Sequence, residues 1–301
     1  MRPILAKNHG FRSFLQVLAS EAWSSLPRRN AKRYHLQALT TIAAATYVLD
    51  LAARGRHHFT AEEAVAALGG SIPAVRAALR RLKAKGEIAN PFQGFYVIVP
   101  PEYRRLGSLP AEQFIPQLMD HLGEPYYVAL LSAAELYGAA HQRPQAFQVM
   151  VRTNRRAIEC GEVRVQFIAR KDMERSSVVE RKTPRGLLRV ASPEATALEL
   201  VGYADQSGGL DNVASVLAEL VEAVDADRLA AECEKSPVVW SQRLGYLLDR
   251  IEQHTLADKI ASFVAVHAHD VAPLVRAKSR SGAPRDKRWK LAVNASVEPE
   301  L

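Results

Sequence analysis

A chain of 301 residues, 48% of them hydrophobic, is long enough for about two domains of ~150 residues, each with a core of its own. Its 40 Lys and Arg against 32 Asp and Glu leave a formal charge of +8, which favours a polyanion such as nucleic acid as partner. Two well-separated cysteines, Cys160 and Cys233, argue against a disulfide-stapled secreted scaffold. No apolar run reaches the ~20 residues of a membrane helix. The first 20 residues, broken by Lys7, Asn8, His9 and Arg12, do not read as a signal peptide, so a soluble cytoplasmic protein is expected.

Residues 1–32 are weakly patterned. Phe11, Phe14, Leu15, Val17 and Leu18 stripe a short helix ending near Trp23, and Pro27–Arg33 reads as a basic linker. Leu36 to Arg54 follows a helical period and closes on Arg54-Gly55. Thr60 then opens a short helix, with Glu63 completing a capping box and Gly69-Gly70 permitting a sharp turn. Ser71 caps the next helix and Pro73 sits in its first turn. There Val75, Ala78, Leu79 and Leu82 form the buried stripe, while Arg76, Arg80 and Lys83 share an exposed face beside Arg81 and Lys85. Glu87–Ala89 and Phe95–Val99 read as strands around an Asn90–Gly94 loop. The order is that of a winged helix-turn-helix over 36–100.

Pro100-Pro101 marks a boundary. Glu112–Leu122 and Tyr126–Ala140 read as helices. Gln145–Val151, Val163–Ala169, Ser177–Glu180 and Leu187–Val190 read as short strands. Ser192-Pro193 opens a helix to about Tyr203. Asp211 and Asp225 are read as caps of two more, Pro237 as the start of another, and Leu256–His267 as the last. Trp289, Leu291 and Val293 alternate as a final strand would. The fold class expected is α+β: an N-terminal extension (1–35), the winged unit, and a larger mixed domain (101–301) with a small sheet and a helical C-terminal half.

Several stretches, in order, resemble the AbiEi class of type IV antitoxins. They are Gly94-Phe-Tyr-Val-Ile-Val-Pro-Pro, the run from Tyr126-Tyr-Val-Ala-Leu-Leu-Ser-Ala-Ala-Glu-Leu-Tyr to Gln145, Ser192-Pro-Glu-Ala-Thr-Ala-Leu-Glu-Leu-Val, Gly208-Gly-Leu-Asp-Asn-Val, Arg243-Leu-Gly-Tyr-Leu-Leu-Asp and Arg285-Asp-Lys-Arg-Trp-Lys-Leu-Ala-Val-Asn. The likeness covers about residues 36 to 301. It implies a winged-helix repressor that binds inverted repeats in its own promoter, as a dimer or cooperatively. It also implies an antitoxin domain opposing a nucleotidyltransferase-like toxin, without a stable complex between the two.

For DNA binding, Arg76 and Arg80 lie where an arginine can bridge O6 and N7 of guanine, a contact that discriminates by about 1–3 kcal/mol. Ser71 at the helix N-terminus suits a phosphate. Arg81, Lys83 and Lys85 suit phosphate neutralisation, and Asn90 and Gln93 suit a wing touching the backbone or minor groove. The plain alternative is a solvated basic face or a protein-docking winged fold. Residues 151–190 hold 11 basic and 5 acidic residues. There Arg152, Arg155, Arg156, Arg164, Arg170 and Lys171 are candidates for a second phosphate surface, or are equally the charges that keep an edge strand from pairing.

No cofactor or metal is expected. His57-His58 and His267-Ala-His269 lack further ligands at zinc spacing, and the cysteines have no Cys-x-x-Cys context. Glu159, Glu162 and Asp172 sit among arginines without a nuclease pattern. Trp240 and Tyr246 read as packing residues. No catalytic residue is assigned, so the chain is not read as an enzyme. The alternatives are a winged-helix regulator with a ligand-sensing C-terminal half and, further off, a DNA-processing enzyme anchored by its winged helix.

Overall fold

The structure, a computed structural model, describes residues 28–139 and 144–298, with side chains from residue 38 onward. The short helix expected before Trp23 lies outside these residues. The fold is α+β and divides into two units. One contains residues up to Asn90 together with Gly94–Ile98; the other contains Pro91–Gln93 and the chain from Val99.

In the first unit, α1 (Arg28–Ala53), β1 (His58–Thr60), α2 (Ala61–Leu68), α3 (Ile72–Ala84), β2 (Ile88–Phe92) and β3 (Phe95–Ile98) follow one another. The basic run 28–33, expected as a linker, is the start of α1. Helix α2 begins where the sequence places it. Thr60 Oγ1 accepts from the Glu63 N–H at 3.1 Å, and the Glu63 carboxylate accepts from the Thr60 N–H at 2.8 Å. Gly69 and Gly70 turn the chain with φ of 58° and 115°, a region glycine alone enters freely. Ser71 caps α3, and Val75, Ala78, Leu79 and Leu82 are its buried stripe. These pack with Ala44, Val48 and Leu51 of α1, and with Phe59 and Ile88, into one core. Between the strands the turn is Gln93-Gly94, tighter than the five-residue loop expected, so Asn90 and Pro91 belong to β2.

Strand β1 was not expected. It pairs antiparallel with β3, Thr60 opposite Phe95 and His58 opposite Val97, giving the order β1-β3-β2. Phe59 is buried beneath it, edge-on to Tyr47 and stacked on Tyr96.

The second unit is built on a six-stranded mixed sheet of order β6-β7-β5-β4-β9-β8. Its strands are β4 (Tyr126–Val128), β5 (Phe147–Val151), β6 (Ile158–Cys160), β7 (Val163–Ala169), β8 (Val178–Thr183) and β9 (Gly186–Ala191). Here the expectation of one helix over 126–140 is corrected. Tyr126, Tyr127 and Val128 are buried side by side in the sheet, which suits aromatic and β-branched residues. The chain then breaks at Leu130, whose φ is +52°, and helix α5 covers only Leu130–Leu136. Both edge strands sit opposite complementary charge: Glu159 of β6 faces Arg164 of β7, and Glu180 of β8 faces Arg189 of β9.

Helix α4 (Ile115–Leu122) precedes the sheet, and α6 (Pro193–Gly202) follows it, capped by Ser192 and buried on nearly every side. Around α6 stand α7 (Gly209–Leu220), α8 (Ala226–Cys233), α9 (Val238–Arg250) and α10 (His254–His267). Asp225 caps α8 as expected, accepting from the Arg228 N–H at 2.9 Å. Asp211 does not cap α7, which starts two residues earlier; its carboxylate accepts from the Glu298 N–H instead. Two glycines admit tryptophans into the helical half. A Cβ on Gly202 would overlap the Trp240 ring, and one on Gly245 the Trp289 ring. The chain ends in a small sheet of β10 (Ala272–Pro273), β11 (Arg285–Asp286) and β12 (Leu291–Ala292), with β12 central.

Candidate functional site

The amphipathic period that buries Leu79 and Leu82 turns Arg76, Arg80 and Lys83 outward from α3, and all three are exposed or partly so. Among the described residues no carboxylate forms an ion pair with them. Tyr96 of β3 lies in the field of Arg76 and Arg80: burial pushes its phenol up, and those two cations pull it partly back. Sequence reading missed Tyr96, although the in–out alternation of Phe95, Tyr96 and Val97 marks it as the partly exposed member of β3.

The remaining candidates of this unit divide. Lys85 and Gln93 are exposed. Ser71 is exposed and accepts a long bond, 3.4 Å, from the Ala74 N–H, leaving its hydroxyl hydrogen free to turn. Arg81 is half-buried, and its guanidinium donates to Thr41 Oγ1 at 2.7 Å, tying α3 to α1. Asn90 donates from Nδ2 to the Phe95 carbonyl at 2.8 Å, which makes it a clamp of the β2–β3 hairpin. Arg56 braces the start of α2, meeting the Glu63 carboxylate at 2.5 and 2.7 Å. Burial pushes the Glu63 carboxyl up, but Arg56 and the Thr60 N–H outweigh it and hold it below the usual range.

In the second unit the six basic candidates also divide. Arg152 pairs with Glu174. Arg155 grips Glu124, its Nε 2.6 Å from Oε2, and holds that carboxyl below its usual range. Arg156, Arg164 and Lys171 are exposed, Arg164 opposite Glu159 in its hairpin. Arg170 is only 4% exposed and belongs to a buried polar cluster. Its Nη1 donates to Glu199 Oε1 at 2.8 Å and to Ser176 Oγ at 2.6 Å, and its guanidinium lies 5.0 Å from the Trp240 ring centre. Tyr127 donates to the same Glu199 oxygen at 2.6 Å.

Burial pushes the Glu199 carboxyl up, against the pull of Arg170 and the two hydroxyls. A cation at this depth cannot reach a phosphate outside, so Arg170 orders the domain. A second buried acid, Glu232, receives the Ser177 N–H and hydroxyl at 3.0 and 2.6 Å, and Lys235 at 3.0 Å.

Among the described residues no group of three or more His, Cys, Asp or Glu is placed to hold a metal ion. Asp172 pairs with Arg170, while Glu159 and Glu162 are exposed. The His267 ring stacks on Phe263. Trp240 packs edge-on to Tyr203. Cys160 and Cys233 are free and buried, and burial pushes the Cys233 thiol up to about 11. No helix among the described residues is long and apolar enough to cross a membrane.

The crystal structure of the RV2827C protein from Mycobacterium tuberculosis shares this fold. It aligns with a TM-score of 0.59 at 18% identity, over 83% of this chain and 90% of that one. No curated protein matches the chain. Residues 127–250 match the family model of the AbiEi antitoxin C-terminal domain. That span runs from Tyr127 of the buried cluster through the central sheet and α6 to the end of α9. Within the second unit, residues 127–250 are thus similar to the AbiEi antitoxin C-terminal domain, and that similarity supports an antitoxin role in a toxin–antitoxin system.

Proposed function

We propose that this protein is the antitoxin of a type IV toxin–antitoxin pair and the DNA-binding repressor of its own operon. In this reading the first unit is a winged helix-turn-helix. Helix α3 enters the major groove, Arg76 and Arg80 read bases, and Lys83 and Lys85 meet phosphates. Two copies occupy the halves of an inverted repeat in the promoter. The second unit counters a nucleotidyltransferase-like toxin without a stable complex between them, and both act in the cytoplasm.

The observation that carries the DNA-binding half is the cationic face of α3, set on a helix, turn and helix with a hairpin following. What supports the antitoxin half is the family match over 127–250. The test is a footprint of the protein on its own promoter together with co-expression rescue from the toxin. Arg76→Ala with Arg80→Ala is expected to abolish the footprint while preserving rescue. An unchanged footprint would remove α3 from the reading. A folded wild-type protein that fails to rescue cells from the toxin would remove the antitoxin role.

A further inference from the structure

The cations of the second unit are unevenly neutralised. Several of those in the central sheet and its loops are engaged, while Arg156, Lys171 and Lys182 are exposed and in no ion pair among the described residues. Arg152 and Arg155 have carboxylates, Arg170 is buried, Arg181 donates to the Leu136 carbonyl, and Arg185 donates to Gln113. The loop between β10 and β11 gathers such charges closely. Arg276, Lys278 and Arg280 stand on alternate residues, all exposed, and none is in an ion pair among the described residues, although Arg280 Nη1 donates to the Val271 carbonyl at 3.4 Å. Arg285 and Lys287 continue the run. Asp286, the acid among them, accepts from the Trp289 N–H at 2.9 Å.

This loop is held in shape. Asn294 accepts from the Val275 N–H at 2.9 Å and donates to the carbonyls of Val275 and Lys278 at 2.8 and 2.9 Å. Leu274 is buried at its base. A positioned loop loses little conformational entropy when a ligand arrives. Beneath it, Arg243 of α9 donates from Nε and Nη2 to the Pro273 carbonyl at 3.3 and 3.2 Å. Burial and the neighbouring charge of Arg276 both press on the Arg243 cation, and Asp205 offsets them only in part. Two like charges that repel across a fixed loop are relieved by an anion.

We propose that the β10–β11 loop is a phosphate-binding surface for double-stranded DNA, contacted by Arg276, Lys278 and Arg280. The inference rests on the operator-binding reading and adds to it a second, sequence-independent grip. Phosphate contacts of this kind raise affinity for every duplex equally and steepen its salt dependence.

The experiment titrates the full chain with its promoter duplex and with a scrambled duplex between about 50 and 200 mM salt. The variants are Arg276→Ala/Lys278→Ala/Arg280→Ala and a control, Lys182→Ala/Arg228→Ala/Arg250→Ala, which removes the same charge from exposed sites elsewhere. The loop variant is expected to weaken binding to both duplexes by a similar factor. The slope of log K against log salt should fall by about 0.9 for each phosphate that is no longer neutralised. The control is expected to keep the wild-type slope.

A loop variant with the wild-type melting profile and an unchanged slope would overturn the inference while leaving the operator reading intact. Equal weakening in the loop variant and the control would overturn it too, reducing the effect to net charge. Weakening seen only on a single-stranded RNA probe would overturn the assignment to DNA. Failure of the wild type to retard either duplex would sink the operator reading itself.

Discussion

Gly245→Ala tests the packing of the helical half. The glycine lies in the middle of α9, where alanine is the better helix former by about 1 kcal/mol, so local propensity alone forecasts a gain. Packing opposes this. A Cβ at 245 would find three atoms of the Trp289 ring inside 3.0 Å, whereas ordinary contact begins near 3.4 Å. Trp289 is fully buried, and its Nε1 donates to Asp249 Oδ2 at 2.7 Å. The indole is enclosed on all sides, and moving it strains that bond.

Overpacking of a core costs about 1–3 kcal/mol. A buried polar group that loses its partner costs about 1–3 kcal/mol more. After the propensity gain, a net loss of about 3 kcal/mol remains. For a unit of about 200 residues, with about 2–4 °C per kcal/mol, the melting temperature should fall by roughly 6–12 °C. Thermal unfolding followed by near-ultraviolet circular dichroism, which reports the tryptophans, measures it. The same change made beside Trp289→Leu should cost far less, since the overlap is gone. A Gly245→Ala protein melting within about 1 °C of wild type would refute the reasoning.

Further outcomes concern titration and reactivity. Glu63 has a depressed carboxyl, so its contribution to stability is present above its ordinary value of 4.5 and is lost as pH falls through the depressed one. The stability gap between wild type and Glu63→Gln should therefore be widest near neutrality and close in acid, and a gap that widens in acid would contradict it. Glu199 carries the opposite sign. Its raised carboxyl contributes stability below 4.5 that is lost as pH rises, so Glu199→Gln should gain on wild type with rising pH in chemical denaturation. A flat difference would show that Arg170 holds the acid ionised throughout. The Cys233 thiol, buried and pushed up to about 11, should resist iodoacetamide at about pH 8 until denaturant is added. Rapid labelling of Cys233 in the native protein would place it at the surface.

The parts of the fold legible in the sequence are those written by neighbouring residues. Thr60 with Glu63, and Ser71 with Pro73, announce α2 and α3 because a helix cap is satisfied within three or four residues. The exposed face of α3 follows from the same period. What escaped depends on distant partners. Strand β1 is three residues long and exists through its register with β3, 35 positions away at Thr60 and Phe95. Tyr126–Val128 reads as the start of the alanine-rich helix that follows, and only burial between β5 and β9 makes it a strand. Arg170 carries the same letter as its exposed neighbours. Its burial is set by Tyr127, Ser176 and Glu199, which no local spacing brings together. Arg81 likewise differs from Arg80 only through Thr41, 40 residues earlier.

The charge pairs on the outer hairpins of the six-stranded sheet bear on how this protein behaves in a crowded cell. An open sheet edge is a template on which another chain can lay a strand and begin a fibril. Here one edge, β6, is three residues long and carries Glu159 opposite Arg164; the other, β8, carries Glu180 opposite Arg189, with Arg181 and Lys182 following. A strand arriving at either edge brings its own apolar residues beside exposed charges of both signs. A one-residue slip would put those charges out of register and turn the buried faces outward. Short, charged edge strands of this kind disfavour the addition of a seventh strand.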